Sequence, residues 1–385
     1  QRPLSETDKK MATRELGDSL LNFSIDLYKQ LASRNDSSQN IVYSPFSISA
    51  ALYMALAGAR NATAKQLADV LHVKGDEVHQ NFSSFRSRLP DLAPGVKLRV
   101  ANRMYADETL PVLDSYLALI RDSYGATVET VDFTNDFERA TRRVNSWVEQ
   151  VTESKIRDLL PPGSLNSSTN MVLVNAVYFK GLWESQFDPE LTERSEFHLD
   201  KRNTTKVDMM YNEDDYKTGR SDELAVTALD MPYKGGKASM VILLPDDIEG
   251  LPQLEERLTF AKLSHLLKSL TLDTDVQLGL PKFKLEETIN LKQTLSAMGI
   301  EDFFTEAADL TGICAKDKVP VSEVFHKTFV EVNEGGTEAA SATALDACDS
   351  AALDQTVFIV NRPFMFLIRS SDPEAVLFTG SVRRI

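Results

Sequence analysis

Residues 333–355 read NEGGTEAASATALDACDSAALDQ. These 23 residues contain no aromatic residue, no Lys and no Arg, and strand-like patterns flank them at 324–332 and 356–360. A loop of that length inside a compact domain is uncommon, and such loops are usually functional or disordered. This segment therefore decides how the rest of the chain is interpreted.

Taken with a period of two, the segment has one face without charge and one face that carries acids. The uncharged face consists of Thr337, Ala339, Ser341, Thr343, Leu345 and Ala347. This pattern predicts a strand with one buriable face, and Gly335-Gly336 before it provides a hinge. We expect an exposed loop in one state and a strand in another. The same residues also suit a helix capped by Thr337, which the helix propensity of alanine favours.

The remaining patterns predict one large α+β domain. Leu16, Leu20, Phe23, Leu27 and Leu31 form an apolar stripe with helical spacing. Ser44 and Pro45 suit the start of a second helix, and residues 136–160 form an amphipathic helix pattern. Apolar runs at 171–179, 225–231 and 239–244 predict strands. No repeat and no Pro- or Gly-rich linker divides the chain, so we expect a single domain.

Composition excludes several function classes. The chain has 385 residues, 42% hydrophobic and 26% charged, with a net charge of −15. Such an acidic protein is a poor general binder of nucleic acid or anionic lipid, and no apolar run is long enough to span a membrane. Cys314 and Cys348 form no metal motif, so we expect no metal and no cofactor. Common nucleotide-binding, hydrolase and metalloprotease motifs are missing, and His326 lies in a strand pattern, which predicts a structural histidine rather than a catalytic one.

Several blocks of sequence resemble the serpin family. FIVNRPFMFLI (358–368) is similar to its C-terminal signature, and EGGTEAASAT (334–343) resembles the hinge of inhibitory members. Residues 40–59, 173–183 and 280–285 and the final VLFTGSV resemble serpin blocks in serpin order. The resemblance, which is to secreted arthropod members, implies one domain over 1–385. It also implies three β-sheets, eight or nine helices and an exposed reactive-centre loop at about 334–360.

The resemblance also implies a mechanism and no enzyme activity. A protease attacks the loop as a substrate and forms an acyl-enzyme. The loop then inserts into the central sheet and carries the protease with it. Each new backbone hydrogen bond contributes roughly 1 kcal/mol, so the native state must be held by kinetics.

Particular residues acquire roles through this resemblance. The hinge consists of Glu334, Gly335, Gly336, Thr337, Glu338, Ala339, Ala340, Ser341, Ala342 and Thr343. Thr337 is the position that enters the sheet first. The breach, at the top of the opening sheet, contains Trp183 and an ion pair of Lys282 with Glu334. The shutter, which gates opening lower down, consists of Ser44, Ser47, Asn175 and His326.

The resemblance places the cleaved bond fourteen residues after Gly336, at Ser350–Ala351. Because the length of this loop varies in the family, the other bonds within 349–353 are alternative cleavage sites. No Lys or Arg occurs between Lys327 and Arg362, so we expect weak or no inhibition of trypsin-like enzymes. Ser350 or Ala351 suits the small specificity pocket of an elastase-like protease. Leu353 suits the pocket of a chymotrypsin-like protease, and Asp349 suits that of an Asp-directed protease. The alternative is a non-inhibitory serpin that acts as a carrier, chaperone or signalling ligand.

The sequons favour secretion and glycosylation. The better candidates are Asn35, Asn61 and Asn203, which lie in polar stretches. We expect a monomer. The stretch 76–95 offers only Arg86 and Arg88, so a glycosaminoglycan switch is not expected. Cys348 is interpreted as a passive small residue, with a reactive thiol as the alternative, and it should lie far from Cys314.

Overall fold

The computed structural model describes residues 5–34, 36, 38–316, 318–337 and 355–385. Within them the chain forms nine α-helices. In chain order they are α1 Glu6–Arg34, α2 Pro45–Gly58, α3 Asn61–Val70, α4 Glu77–Arg88, α5 Asp114–Tyr124, α6 Phe133–Val151, α7 Leu251–Arg257, α8 Phe260–Ser269 and α9 Lys292–Met298. This number agrees with the eight or nine that we expected.

Fifteen strands accompany these helices in the described residues. The first eight are β1 Ile41–Tyr43, β2 Val96–Asp107, β3 Val128–Val131, β4 Met171–Leu182, β5 Glu193–His198, β6 Thr204–Ser221, β7 Val226–Pro232 and β8 Ala238–Pro245. The others are β9 Thr271–Pro281, β10 Phe283–Asn290, β11 Glu323–Val332, β12 Gly336–Thr337, β13 Val357–Ile359, β14 Phe364–Ser371 and β15 Glu374–Val382. The predicted α+β class and single domain are confirmed.

The strands form a six-stranded and a nine-stranded sheet. The central sheet has the order β10-β11-β12-β4-β2-β3. The larger sheet contains two parts joined by the 18-residue strand β6. One part of β6 pairs with β5 and β9, and its last residues pair with β7. The three sheets that we expected therefore correspond to the central sheet and to these two connected parts.

Local chemistry explains the start of α2, which positions part of the site. Ser44 is the N-cap, and its hydroxyl accepts a hydrogen bond from the backbone N–H of Ser47 at 3.1 Å. Pro45 follows at the first helical position, where its missing N–H leaves no partner unsatisfied. The sequence-based prediction of this helix start agrees with the structure.

The helix predicted over 136–160 is wrong at its end. Helix α6 ends at Val151, and the next residues form an irregular segment. The Thr152 hydroxyl donates back to the carbonyl of Val148 at 2.7 Å and accepts from the N–H of Ile156 at 3.1 Å. Glu153 and Ser154 then adopt positive φ values of 54° and 64°, which a helix cannot contain.

Helix α6 covers the outer face of the central sheet. Its buried residues Ala140, Val144 and Val148 belong to a hydrophobic cluster that includes side chains from β2, β4 and β11. On β4 these side chains include Val174, and on β11 they include Phe325. The cluster therefore spans the line along which β4 and β11 meet, which we call the seam.

Candidate functional site

The seam is closed along most of its length and open at one end. Strands β4 and β11 pair in parallel from Glu323 with Val172 to Phe329 with Tyr178. Beyond this point β12 lies between them, where Thr337 pairs with Val332 of β11 and with Gly181 of β4. The first hinge residues are thus already seated in the open end of the sheet.

Thr337 is fully buried at this position. Its hydroxyl lies 2.9 Å from the hydroxyl of Tyr233, which is also fully buried. Burial raises the pKa of Tyr233, so this phenol stays protonated. The pair satisfies two polar groups that would otherwise be buried without a partner.

Gly336 fits here because it lacks a side chain. Its φ is +151°, a value that favours glycine, and a Cβ would lie 2.0 Å from the carbonyl oxygen of Gly181. The same atom would lie 2.8 Å from Cα of Leu182. No larger residue can occupy this place without moving β4 away from the hinge.

The carboxylate of Glu334 is held from two sides. Lys282 Nζ lies 3.0 Å from Oε2, and the Thr192 hydroxyl donates to Oε1 at 2.9 Å. Burial by itself would raise the pKa of Glu334, but hydrogen bonds from its own backbone N–H, Lys282 and Thr192 outweigh this effect and lower the pKa. The backbone carbonyl of Glu334 also accepts from the N–H of Phe187 at 2.9 Å.

Trp183 fixes the backbone that precedes the hinge strand. Its indole N–H donates to the carbonyl of Asn333 at 3.0 Å, and its backbone N–H donates to the carbonyl of Gly335 at the same distance. The indole stacks on Tyr233 with a centroid distance of 4.6 Å. Trp183 therefore connects residues 333–335 to the aromatic ring that also holds Thr337.

A second polar cluster lies under the closed part of the seam. His326 on β11 is directly opposite Asn175 on β4, and their side chains are hydrogen-bonded through Nδ1 and Oδ1. Asn175 Nδ2 donates to the carbonyl of Ser47 at 2.9 Å. The Ser44 hydroxyl donates to the carbonyl of Leu377 at 2.6 Å. The structure thus joins Ser44, Ser47, Asn175 and His326 in one buried network.

The partners of His326 define its protonation state. The backbone N–H of Ser44 donates to Nε2 at 3.1 Å, and the hydroxyl of Thr328 lies 2.7 Å from the same nitrogen. A backbone amide can only donate, so Nε2 carries no proton, and the proton of the neutral ring lies on Nδ1. Burial lowers the pKa of His326 to about 3.

Several predicted residues lie outside the described residues. They are Glu338, Ala339, Ala340, Ser341, Ala342, Thr343, Ser350, Ala351, Cys348 and Asn35. Of the other glycosylation candidates, Asn61 is exposed and its Nδ2 donates to Asp309 Oδ2 at 2.7 Å. Asn203 is also exposed, and its Nδ2 donates to Asp200 Oδ2 at 2.8 Å. Cys314 is buried with a free thiol.

Sequence reasoning missed three residues of the hinge end. Tyr233, Thr192 and Asn333 contact the hinge or its neighbours, but they come from the bridge after β7, the loop before β5 and the residue that follows β11. No spacing or motif links them, because the contacts form only when distant segments meet. Family-wide comparison of sequences is the signal that would have found them.

The described residues form neither a membrane span nor a metal cluster. No helix in this part of the chain is long and apolar enough to cross a bilayer. Within the same residues, no group of three or more His, Cys, Asp or Glu side chains is arranged to hold a metal ion.

Comparison with known proteins defines the class to which this site belongs. The family described as "Serpin (serine protease inhibitor)" matches residues 18–385, so the chain belongs to the serpin family. Iris from Ixodes ricinus is 54% identical over 373 residues, which are 96% of this chain and 99% of that protein. Leukocyte elastase inhibitor A from Mus musculus is 41% identical over 369 residues, 94% of this chain and 97% of that protein.

A solved structure agrees with this assignment. Serpin48, described as a highly specific serpin of the insect Tenebrio molitor, superposes with a TM-score of 0.87 at 33% identity, covering 97% of this chain and 98% of that one. The predicted serpin fold and family are therefore confirmed. The family is one of protease inhibitors and not of enzymes.

Proposed function

We propose that this protein is a suicide-substrate inhibitor of a serine protease and that residues 334–360 are its reactive-centre loop. The observation that carries the proposal is the position of Thr337 between β4 and β11. A strand that has already begun to insert needs only to extend along the seam. Cleavage within the loop would release the segment that follows Thr337 and allow this extension.

Hydrogen bonding and packing favour that extension. A strand inserted along the seam would exchange the direct β4–β11 pairing for two ladders, one with each neighbour. Each added backbone hydrogen bond contributes roughly 1 kcal/mol, and burial of small apolar side chains adds to it. The uncharged face that begins with Thr337 suits the buried interior of the sheet.

The target is proposed to be a protease with a small or apolar specificity pocket. One relative carries the name leukocyte elastase inhibitor, and it is 41% identical to this chain. The loop itself offers no Lys or Arg for a trypsin-like pocket. Cleavage is proposed at Ser350–Ala351, with neighbouring bonds of 349–353 as the other outcomes.

The test is incubation with leukocyte elastase, chymotrypsin and trypsin, followed by denaturing electrophoresis and mass spectrometry. We expect an SDS-stable complex with the elastase and a released fragment that begins at Ala351. A rapid stable complex with trypsin, cleaved within the loop, would contradict the proposed specificity. Cleavage by every protease with no covalent complex and no rise in melting temperature would instead favour a non-inhibitory carrier, chaperone or signalling ligand.

Secretion and glycosylation form a separate part of the proposal. The sequons at Asn61 and Asn203 have exposed asparagines, which an oligosaccharide requires. The measurement is the mass of protein from its native source before and after enzymatic deglycosylation. An unchanged mass would contradict glycosylation without affecting the inhibitor proposal.

A further inference from the structure

A tripeptide with the pattern Asn-x-Ser lies in the connection between α6 and β4. It consists of Asn166, Ser167 and Ser168, which are all exposed and belong to no helix or strand. Asn-x-Ser and Asn-x-Thr are the acceptor patterns for N-linked oligosaccharides, which are attached at the surface of secreted proteins. The contacts of the asparagine and of the hydroxyl determine whether an oligosaccharide fits here.

Hydrogen bonds fold the tripeptide into a closed turn. The side-chain oxygen Oδ1 of Asn166 accepts from the backbone N–H of Ser168 at 2.8 Å. The carbonyl of Asn166 accepts from the N–H of Thr169 at 3.1 Å, and the Thr169 hydroxyl accepts from the N–H of Asn166 at 3.0 Å. An Asn side chain that bonds to the backbone two residues further on forms an Asx turn. The side chain of Asn166 is thus held by its oxygen and not by its nitrogen.

The residues on both sides of the turn are anchored in the protein. Leu165 is buried in the hydrophobic cluster that α6 shares with the central sheet, and Thr169 is also buried. The backbone N–H of Asn170 donates to the Ser322 hydroxyl at 2.9 Å, just before β11 begins. The turn is therefore a fixed projection at the end of the seam farthest from its opening. None of these anchoring contacts uses the amide nitrogen of Asn166.

The amide nitrogen Nδ2 distinguishes Asn166 from the two exposed glycosylation candidates described above. Nδ2 of Asn61 donates to Asp309 at 2.7 Å, and Nδ2 of Asn203 donates to Asp200 at 2.8 Å. Nδ2 of Asn166 makes no hydrogen bond to the described part of the chain. An oligosaccharide on Asn166 would therefore displace no protein contact, whereas on the other two asparagines it would compete with a carboxylate.

The hydroxyl at the third position of each sequon shows the same difference. Thr63, two residues after Asn61, is only 1% exposed. Thr205, which completes the other sequon, belongs to strand β6. Ser168 is exposed and lies outside any strand. The transferring enzyme recognises the asparagine and this hydroxyl together, so of these three sequons 166–168 presents both most openly.

We propose that Asn166 is an acceptor of an N-linked oligosaccharide. In the transfer, Nδ2 of Asn166 forms a bond to the anomeric carbon of the first sugar and loses one proton. The bond between that carbon and the diphosphate of a lipid-linked oligosaccharide breaks, and the diphosphate leaves on its lipid. The enzyme and this co-reactant belong to the secretory pathway, so the inference rests on the secretion part of the proposed function.

The first test is a glycopeptide map of the protein from its native source. Enzymatic release of the oligosaccharide in water labelled with oxygen-18 converts a glycosylated asparagine to a labelled aspartate, which mass spectrometry locates. We expect the label at position 166. Label at Asn61 or Asn203 with none at Asn166 would overturn the proposed site and leave the secretion proposal in place.

Secretion from insect cells separates the site from the natural location of the protein. The full chain, placed behind a secretion signal, then meets the transferring enzyme in any case. We expect Asn166 to be modified, and an unmodified Asn166 in the secreted protein would overturn the proposal. A modified Asn166 here, together with a native protein that carries no oligosaccharide, would support the acceptor site and contradict only natural secretion.

A pair of serine variants tests the sequon in the same cells. Ser168→Ala removes the hydroxyl but keeps the backbone N–H that bonds Asn166, so the turn is preserved. Ser167→Ala changes the middle position and leaves the sequon intact. We expect occupancy of Asn166 to fall more than tenfold in Ser168→Ala and to stay unchanged in Ser167→Ala, with equal melting temperatures after deglycosylation. Equal occupancy in the two variants would overturn the proposal.

Discussion

The hydroxyls of Thr337 and Tyr233 lie 2.9 Å apart, and both side chains are fully buried at the open end of the seam. The two residues are 104 positions apart in sequence. Their hydrogen bond joins Thr337 to a ring that stacks on Trp183. We therefore expect the movement of the proposed loop to depend on Tyr233, a residue that lies outside it.

Tyr233→Phe should loosen the hinge. The ring remains and can still stack on Trp183, but the Thr337 hydroxyl is left buried without a partner. A buried hydroxyl without a partner lowers the stability of the structure around it by about 1–3 kcal/mol. We expect faster hydrogen exchange at the Gly336 and Thr337 amides, by tenfold or more. Tyr211→Phe, which removes a phenol bonded to Ser195, is the matched control and should leave exchange at these amides unchanged.

Thr337→Arg should convert the inhibitor into a substrate. The buried site between β4 and β11 cannot hold a guanidinium without a charged partner, so insertion stops at its first residue. We expect cleavage of the loop to continue while the stoichiometry of inhibition rises several-fold. Thr337→Ser keeps the hydroxyl and should inhibit normally. An unchanged stoichiometry in Thr337→Arg would exclude Thr337 as the entry point.

His326 should make stability depend on pH. Its pKa is about 3 in the folded protein and near 6.5 in the unfolded chain, so only the unfolded chain takes up a proton between these values. Stability is fully present above pH 6.5 and is lost as the pH falls toward 3, by about 1.4 kcal/mol per pH unit.

Urea unfolding at pH 7.5 and pH 5.5 measures this effect. His326→Gln should reduce the loss of stability between the two pH values by about 1.4 kcal/mol. His265→Gln, at an exposed histidine of α8, is the matched control for the substitution itself. The same loss in His326→Gln as in the unchanged protein would show that other groups cause the pH dependence.

Much of the fold follows from local sequence patterns. The apolar runs at 225–231 and 239–244 correspond to β7 and β8, and each predicted boundary is at most one residue from the observed one. The hairpin turn between them was also predicted, since Gly235 and Gly236 adopt the positive φ values of 91° and 69° that such a turn needs. The end of α6 was not predictable in the same way. Ile156, Leu159 and Leu160 continue the apolar pattern and are buried, although they lie outside the helix.

The polar networks could be found only in part. The resemblance to serpins pointed to His326 and Asn175, which lie directly opposite each other on β11 and β4. It did not point to Thr328, whose hydroxyl reaches the same imidazole nitrogen, or to Asn102 beyond Asn175. Hydrophobic periodicity predicts which face of a strand is buried, but it cannot tell which buried polar groups satisfy one another.

We expect the Asp107 carboxylate to hold the first turn of α6 in place next to the central sheet. Its buried carboxylate accepts from the N–H groups of Phe133 and Thr134 at 3.0 and 3.2 Å. Its second oxygen accepts from the N–H and the hydroxyl of Thr109. Burial would raise the pKa of Asp107, but the hydrogen bonds, led by that from Thr109, outweigh burial and lower it. This carboxylate therefore ties the first turn of α6 to the end of β2.

Asp107→Asn should destabilise the protein by about 2 kcal/mol, because the new amide turns a donor toward other donors. Helix α6 shares a hydrophobic cluster with residues of β2, β4 and β11, so its release should also speed loop insertion after cleavage. The measurements are urea unfolding and the rate of the fluorescence change that follows loop cleavage. Asp136→Asn is the control, because Asp136 lies in the first turn of the same helix but is exposed. This variant keeps the oxygen that accepts from the N–H of Arg139, so it should change neither the stability nor the insertion rate. Equal stability of the two variants would show that the Asp107 carboxylate does not anchor α6, and equal insertion rates would show that α6 does not restrain the seam.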